Sequence, residues 1–330
     1  MNLARAGTTV LEWTGHGVGR AAGAVAVAAR VPAILLARDG VADPDVGRLG
    51  PLPFDGARRI PAPDGGDLFT VSHGAGTTIL FVHGLLATSR VWTKQFRDLP
   101  GTGVRTVAFD HRGHGASTAT ASGATAVLAD DVVAVVEGLD LRDLLVVAHS
   151  TGAAAACTAV ASGRLTGRVR GLVLVGATTR SYLSLLPGAL ARPLVHGFVE
   201  SGAWSRFEWS RLVARSSFGL DPRPSQVELV RALLASADPA AVEIAAEATC
   251  SNDLTAVLPG VRVPTLVVNG TADLLTTPGE ARRLARALPD GRFVPLAGAG
   301  HMVMLERADA LAEHCRTLAG EVGITDASRA

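Results

Sequence analysis

The chain has 330 residues, 48% of them hydrophobic and 18% charged, which provides for a large ordered core and excludes a disordered polyelectrolyte. A formal net charge of +1 leaves no electrostatic footprint for nucleic acid, so no nucleic-acid partner is expected. Cys157, Cys250 and Cys315 are few, odd in number and far apart, without C-x-x-C spacing. That pattern points to reduced thiols in a cytoplasmic setting, with no disulfide framework and no metal site.

Residues 1–60 read as an Ala/Gly-rich, helix-prone extension ending in a Pro-containing linker around Pro44 to Pro53. Within it, Ala21 to Ala37 is the one stretch that could touch a membrane surface. Arg30 and Pro32 leave it short of the ~20 apolar residues a span requires. Packing on the protein surface is the expected role, with interfacial anchoring or a weak export signal as alternatives. The core then alternates strands and helices. Strands are expected at Asp67 to Ser72, Thr77 to Val82, Val104 to Phe109, Leu144 to Ser150 and Val169 to Val175, with helices at Trp92 to Leu99 and Ala124 to Gly138. Runs apolar on both faces, separated by helix-length segments, imply a mostly parallel, doubly wound α/β sheet. The alternation stops near Thr178, and residues 181–255 read as an all-helical insertion. It resumes with a strand at Pro264 to Asn269, a helix at Gly279 to Leu288, a strand at Arg292 to Leu296 and a last helix through Leu318. The expected organisation is thus 1–60, a core in two halves (61–180 and 256–320) around the 181–255 insertion, and a tail, 321–330.

In such a sheet, reactive groups gather at the carboxyl ends of the strands. Ser150 follows an apolar strand, between Ala148 and Gly152, and precedes a small-residue helix. This is a G-x-S-x-G elbow with Ala for the first Gly, where a hydroxyl is exposed beside a helix N-terminus. Taken alone, Ser150 could equally be a helix N-cap. Asp273, in Asn269-Gly270-Thr271-Ala272-Asp273, follows a later strand, and it could instead hold its turn or cap the next helix. His301, in Gly298-Ala299-Gly300-His301, follows the last. Ser, Asp and His in that order, each at a separate strand exit, form a far more specific signal than any one of them. Asp253 is the rival carboxylate. His83 reads as structural, and Asp130 and Asp131 as a turn-binding or solvated pair. His111 and His114 form an H-x-x-H pair with no third metal ligand at a plausible spacing.

With FVHGLL, DHRGHGAS, AHSTG, NGTAD and GAGH in place over about residues 60–320, the sequence resembles the α/β-hydrolase family. The resemblance implies Ser150 as nucleophile, His301 as base and Asp273 as the carboxylate orienting the imidazole. It implies backbone N–H groups of Leu85 and Thr151 as an oxyanion hole, and residues 181–255 as a helical cap. Leu86, Met302, Trp204, Trp209 and Phe218 are candidates to line the substrate pocket, although aromatic residues in such places serve as often in the core. Serine rather than a carboxylate at position 150 points to acyl transfer: an esterase- or lipase-like enzyme acting, without cofactor, on a small ester with an apolar or lipid-like acyl group. Thioesterase, lactonase, acyltransferase and cofactor-free haloperoxidase or perhydrolase chemistry use the same triad, and a non-catalytic scaffold is the alternative outside enzymes.

Overall fold

The computed structural model describes residues 43–118, 124–181, 197, 201–202 and 206–324. The expected membrane-touching segment and most of the N-terminal extension lie outside the described residues, as do Tyr182, Trp204 and the tail beyond 324.

An eight-stranded sheet organises the chain. Its strands are β1 (Gly56–Pro61), β2 (Asp67–His73), β3 (Thr77–Val82), β4 (Val104–Phe109), β5 (Leu144–His149), β6 (Val169–Val175), β7 (Thr265–Gly270) and β8 (Gly291–Leu296), in the order β1-β2-β4-β3-β5-β6-β7-β8. The pairs from β4 through β8 are parallel, and β1 and β2 join antiparallel at one edge. Seven of these strands match the sequence expectation to within a residue or so. The exception is β1, which lies between the Pro44 to Pro53 linker and the first expected strand, where no strand was expected. Its sequence GARRIP holds Gly, Pro and two Arg, and only Ile60 is buried. An edge strand paired on one side needs little apolar patterning, and so leaves little signal.

The sheet is covered on both faces because β residues alternate. Leu144, Val146 and Ala148 of β5 face one core with α2 (Thr125–Gly138), α3 (Thr151–Ala161) and α7 (Pro278–Ala287). Leu145 and Val147 face the other, with α1 (Thr93–Asp98), α8 (Val303–Glu306) and α9 (Ala308–Glu321). Between β6 and β7 the described residues form α4 (Phe207–Ser216), α5 (Pro224–Ala235) and α6 (Pro239–Ser251), with no strand beyond an isolated bridge, Arg180–Asp253. Pro opens α5 and α6, and the Asp238 side chain accepts from the Ala240 N–H at 2.8 Å to cap α6. Residues of α4 and α5 join the second core while Ile244 and Ala248 of α6 join the first, so the insertion straddles the carboxyl edge of the sheet. No described helix is long and apolar enough to cross a membrane.

Candidate active site

Ser150 sits on the turn from β5 into α3 with φ 52° and ψ −119°, the left-handed side of the map that a non-glycine residue rarely occupies. Its side chain makes no capping hydrogen bond, which removes the N-cap reading. The turn is tight because the chain after β3 crowds it from behind. A methyl at Gly152 would lie 2.3 Å from the His83 carbonyl oxygen, and one at Gly84 would lie 2.7 Å from His149 Nδ1. Ala148, two residues before the serine where a first glycine was the pattern, is fully buried and its methyl packs in the first core.

His83-Gly84-Leu85-Leu86 leaves β3 alongside. His83 accepts from the His111 N–H at 2.9 Å through Nε2 and donates through Nδ1 to the Gly84 carbonyl at 2.7 Å. His114 accepts the Leu86 N–H at 3.3 Å and donates to the Arg112 carbonyl at 2.9 Å. His83 and His114 thereby shape this loop. Burial, with neighbouring imidazoles in the case of His83 and His111, pushes all three histidines below the ordinary imidazole value, His111 to about 3. The described residues contain no group of three or more His, Cys, Asp or Glu able to hold a metal. Leu85 and Thr151 keep backbone N–H groups with no acceptor among the described residues, Thr151 as the first residue of α3.

Asp273, in the loop after β7, is 2% exposed. Its Oδ1 accepts the N–H groups of Leu275 and Thr276, both at 2.9 Å, and its Oδ2 accepts from His301 Nδ1 at 2.9 Å. The aspartate therefore holds its own turn and orients the imidazole at once. With Nδ1 donating to a carboxylate, His301 Nε2 carries the lone pair. Asp253 lies elsewhere, in an exposed pair with Arg180 at 3.0 Å. There, hydrogen bonds from Thr255 and Arg180 outweigh burial and hold its carboxyl below the usual range. Asp130 and Asp131 part company. The first pairs with Arg164 on the surface, and the second is fully buried against Arg112 of the DHRG turn.

Ser150, Thr151, Leu85 and His301 all line one cavity of about 300 Å³, whose remaining lining is largely aliphatic. Leu86 and Met302, candidates from the sequence, line it too. Two of the proposed pocket aromatics do not. Trp209 projects to solvent from α4 at 48% exposure, because it lies on the outer stripe of that amphipathic helix. Phe218 is buried in the core beneath the His301 loop.

Two residues that sequence reasoning passed over support the imidazole. His149, just before the serine, donates from Nε2 to the His301 carbonyl at 3.2 Å, its ring centroid 4.6 Å from that of His301. Burial, and then the neighbouring His301, push its pKa well below the ordinary imidazole value. Glu306, in α8, accepts the Gly300 N–H at 2.8 Å and the Gly219 N–H at 2.9 Å, and burial raises its carboxyl above the ordinary value. His301 N–H donates to the Ser217 carbonyl at 2.8 Å, so the loop that carries it is pinned to the end of α4. The signal in the sequence was the glycine pair: a Cβ at Gly219 or Gly300 would come within 2.6 Å of the opposite strand of backbone.

Comparison with known proteins bears on the fold and the family. A non-heme haloperoxidase from Rhodococcus erythropolis is 28% identical over 265 residues, covering 76% of this chain and 94% of that protein. A non-heme chloroperoxidase from Burkholderia pyrrocinia is 29% identical over 244 residues, 71% of this chain and 88% of its own length. Among solved structures, an esterase from Exiguobacterium antarcticum superposes with a TM-score of 0.72 at 22% identity, over 80% of this chain and all of that one. Residues 79–314 match the model of the alpha/beta hydrolase family, and the chain belongs to that family.

Proposed function

We propose that the protein is a serine hydrolase that cleaves a carboxylic ester through an acyl-enzyme on Ser150. The observation that carries this reading is the Asp273–His301 hydrogen bond at Nδ1, which leaves the basic Nε2 for a serine hydroxyl lining the same cavity. In this mechanism His301 removes the hydroxyl proton as Ser150 attacks the ester carbonyl. The Leu85 and Thr151 N–H groups receive the oxyanion, each donor of that kind being worth roughly 3–4 kcal/mol in related chemistry. His301 then returns the proton to the departing alkoxide, and water repeats the sequence to release the acid. The Ser150 hydroxyl makes no hydrogen bond among the described residues; such catalytic contacts commonly tighten only once substrate is bound. The aliphatic lining favours an apolar chain on the substrate, and the α4–α6 insertion serves as its cap.

Haloperoxidase relatives favour a second use of the same acyl-enzyme, in which hydrogen peroxide replaces water and the product is a peracid. Wild type and Ser150→Ala are to be assayed on 4-nitrophenyl esters of rising chain length, and separately for bromide oxidation in acetate with hydrogen peroxide. Loss of ester turnover by at least 10³-fold in a well-folded Ser150→Ala protein is expected. Undiminished turnover in that variant would rule the acyl-enzyme out.

A further inference from the structure

The lining of the cavity beside Ser150 is uneven. Leu86 and Val91 after β3, Val213 of α4, and Val230, Leu233 and Leu234 of α5 give an apolar stretch, broken only by Ser217, whose hydroxyl is committed to the Val213 carbonyl at 3.0 Å. Thr178 after β6, Thr249 and Asn252 at the end of α6, and Thr276 after β7 give a more polar stretch, in which Leu275 is apolar. In the sheet β3 flanks β5 on one side, and β6 and β7 lie on the other. The stretch after β3 and the polar groups after β6 and β7 therefore sit on opposite sides of the serine. No described residue of the lining carries a carboxylate, guanidinium or ammonium group.

The polar groups are not equivalent. The threonine hydroxyls are committed internally: Thr178 donates to the Arg180 carbonyl at 3.0 Å, Thr249 to Ala245 at 2.7 Å and Thr276 to Gly176 at 3.1 Å. Asn252 differs. It is 7% exposed, its main-chain carbonyl is fixed by the Ser181 N–H at 3.1 Å, and its side-chain Oδ1 has no hydrogen-bond partner. Burying an amide without a partner costs stability, and such groups persist where a ligand supplies the missing bond. With no fixed partner, either end of the carboxamide can turn toward that ligand.

We infer that Asn252 is a specificity-determining residue whose carboxamide hydrogen-bonds a second, neutral oxygen function of the substrate, a carbonyl or a hydroxyl. This rests on the esterase reading and deepens it. The substrate class is an uncharged ester with an apolar chain on one side of the scissile bond and a polar but unionised group on the other. A carboxylate or phosphate there would be desolvated without a counter-ion.

Two matched pairs test this: 4-nitrophenyl hexanoate against 4-nitrophenyl 5-oxohexanoate, and pentyl butyrate against 4-oxopentyl butyrate. The first places the extra oxygen on the acyl side and the second on the alcohol side. Wild type should prefer the oxo member of one pair by about tenfold in kcat/KM, the worth of one neutral hydrogen bond in a buried site. Asn252→Leu should abolish that preference, with Asn252→Ser as the smaller substitute where leucine does not fit. Calorimetric binding of the same four esters to Ser150→Ala, with and without the Asn252 change, separates recognition from turnover. If wild type hydrolyses none of them while Ser150→Ala binds the oxo ester more tightly only when Asn252 is present, this inference stands and the esterase reading falls. Equal handling of both members of both pairs by wild type and by Ser150→Ala, or a preference that survives loss of the amide, would overturn it.

Discussion

At Ser150 the backbone is held with positive φ by a glycine on either side of the turn, Gly84 against His149 and Gly152 against the His83 carbonyl. The strain is the condition for an exposed hydroxyl at the mouth of α3. Gly152→Ala is therefore expected to destabilise the fold by about 2 kcal/mol or more, since only backbone lies within 3 Å of the added methyl; a urea melt unchanged within 0.5 kcal/mol would count against this account. The choice between carboxylates is also a residue-scale question. Asp273→Asn should lower kcat by about 10⁴-fold with little change in KM, by analogy with the protease triad. Asp253→Asn should lose only its surface pairing with Arg180, and leave kcat as it is. Equal losses from the two would refute the assignment of Asp273.

Elements hold the imidazole loop by bridging from outside the sheet. Glu306 of α8 joins Gly300, next to His301, to Gly219 at the end of α4. Glu306→Ala should leave both N–H groups without acceptors in a buried place, and reduce kcat by about tenfold, more than it raises KM. Glu306→Gln, which keeps an acceptor oxygen, should recover part of the loss, whereas a residue serving packing alone would show no such rescue. On the same face, Lys94 of α1 is the chain's single lysine, and it is buried. Its Nζ donates to Asp45 at 2.6 Å and to the Leu305 carbonyl at 2.7 Å, while Gln226 of α5 donates to the same two acceptors at 2.7 and 3.0 Å. This network ties the segment before β1, α1, α5 and α8 together. Lys94→Met removes the buried cation from the Asp45 carboxylate, leaving it to Gln226 and a distant Arg48, and should cost about 3 kcal/mol of unfolding free energy. Retained stability in a denaturant melt would show the network to be dispensable.

Among the described residues of the whole molecule, burial lowers the pKa of His83, His111, His114 and His149 below the ordinary imidazole value. Their folded values lie below the 6.5 of a free imidazole, so between pH 6.5 and the lowered values the unfolded chain binds more protons than the folded one. Stability is then fully present above pH 6.5 and falls as the pH drops below it, by up to about 1.4 kcal/mol per pH unit for each such group. Glu306, raised by burial, works the other way and only near and above the ordinary glutamate value. The unfolding midpoint in urea should therefore fall steadily from pH 7 to pH 5. A flat profile over that range would mean that these rings are protonated in the native state.

The β/α alternation, the two-faced strands and the order Ser–Asp–His were legible in the sequence. They arise from local periodicity and from the rule that loops at the carboxyl ends of parallel strands share one edge. Short-range patterns could not separate Asp273 from Asp253, since both are turn aspartates near a helix. They could not find β1, whose edge position asks little of its side chains. They misplaced Trp209 and Phe218, because an aromatic residue reads the same whether it faces core, cavity or solvent. Those outcomes depend on which distant segments meet: Oδ2 of residue 273 with a ring 28 positions later, or the end of α4 with the loop after β8. Contacts between segments so far apart in the chain exist only once the sheet has closed its order, and so tertiary packing alone decided them.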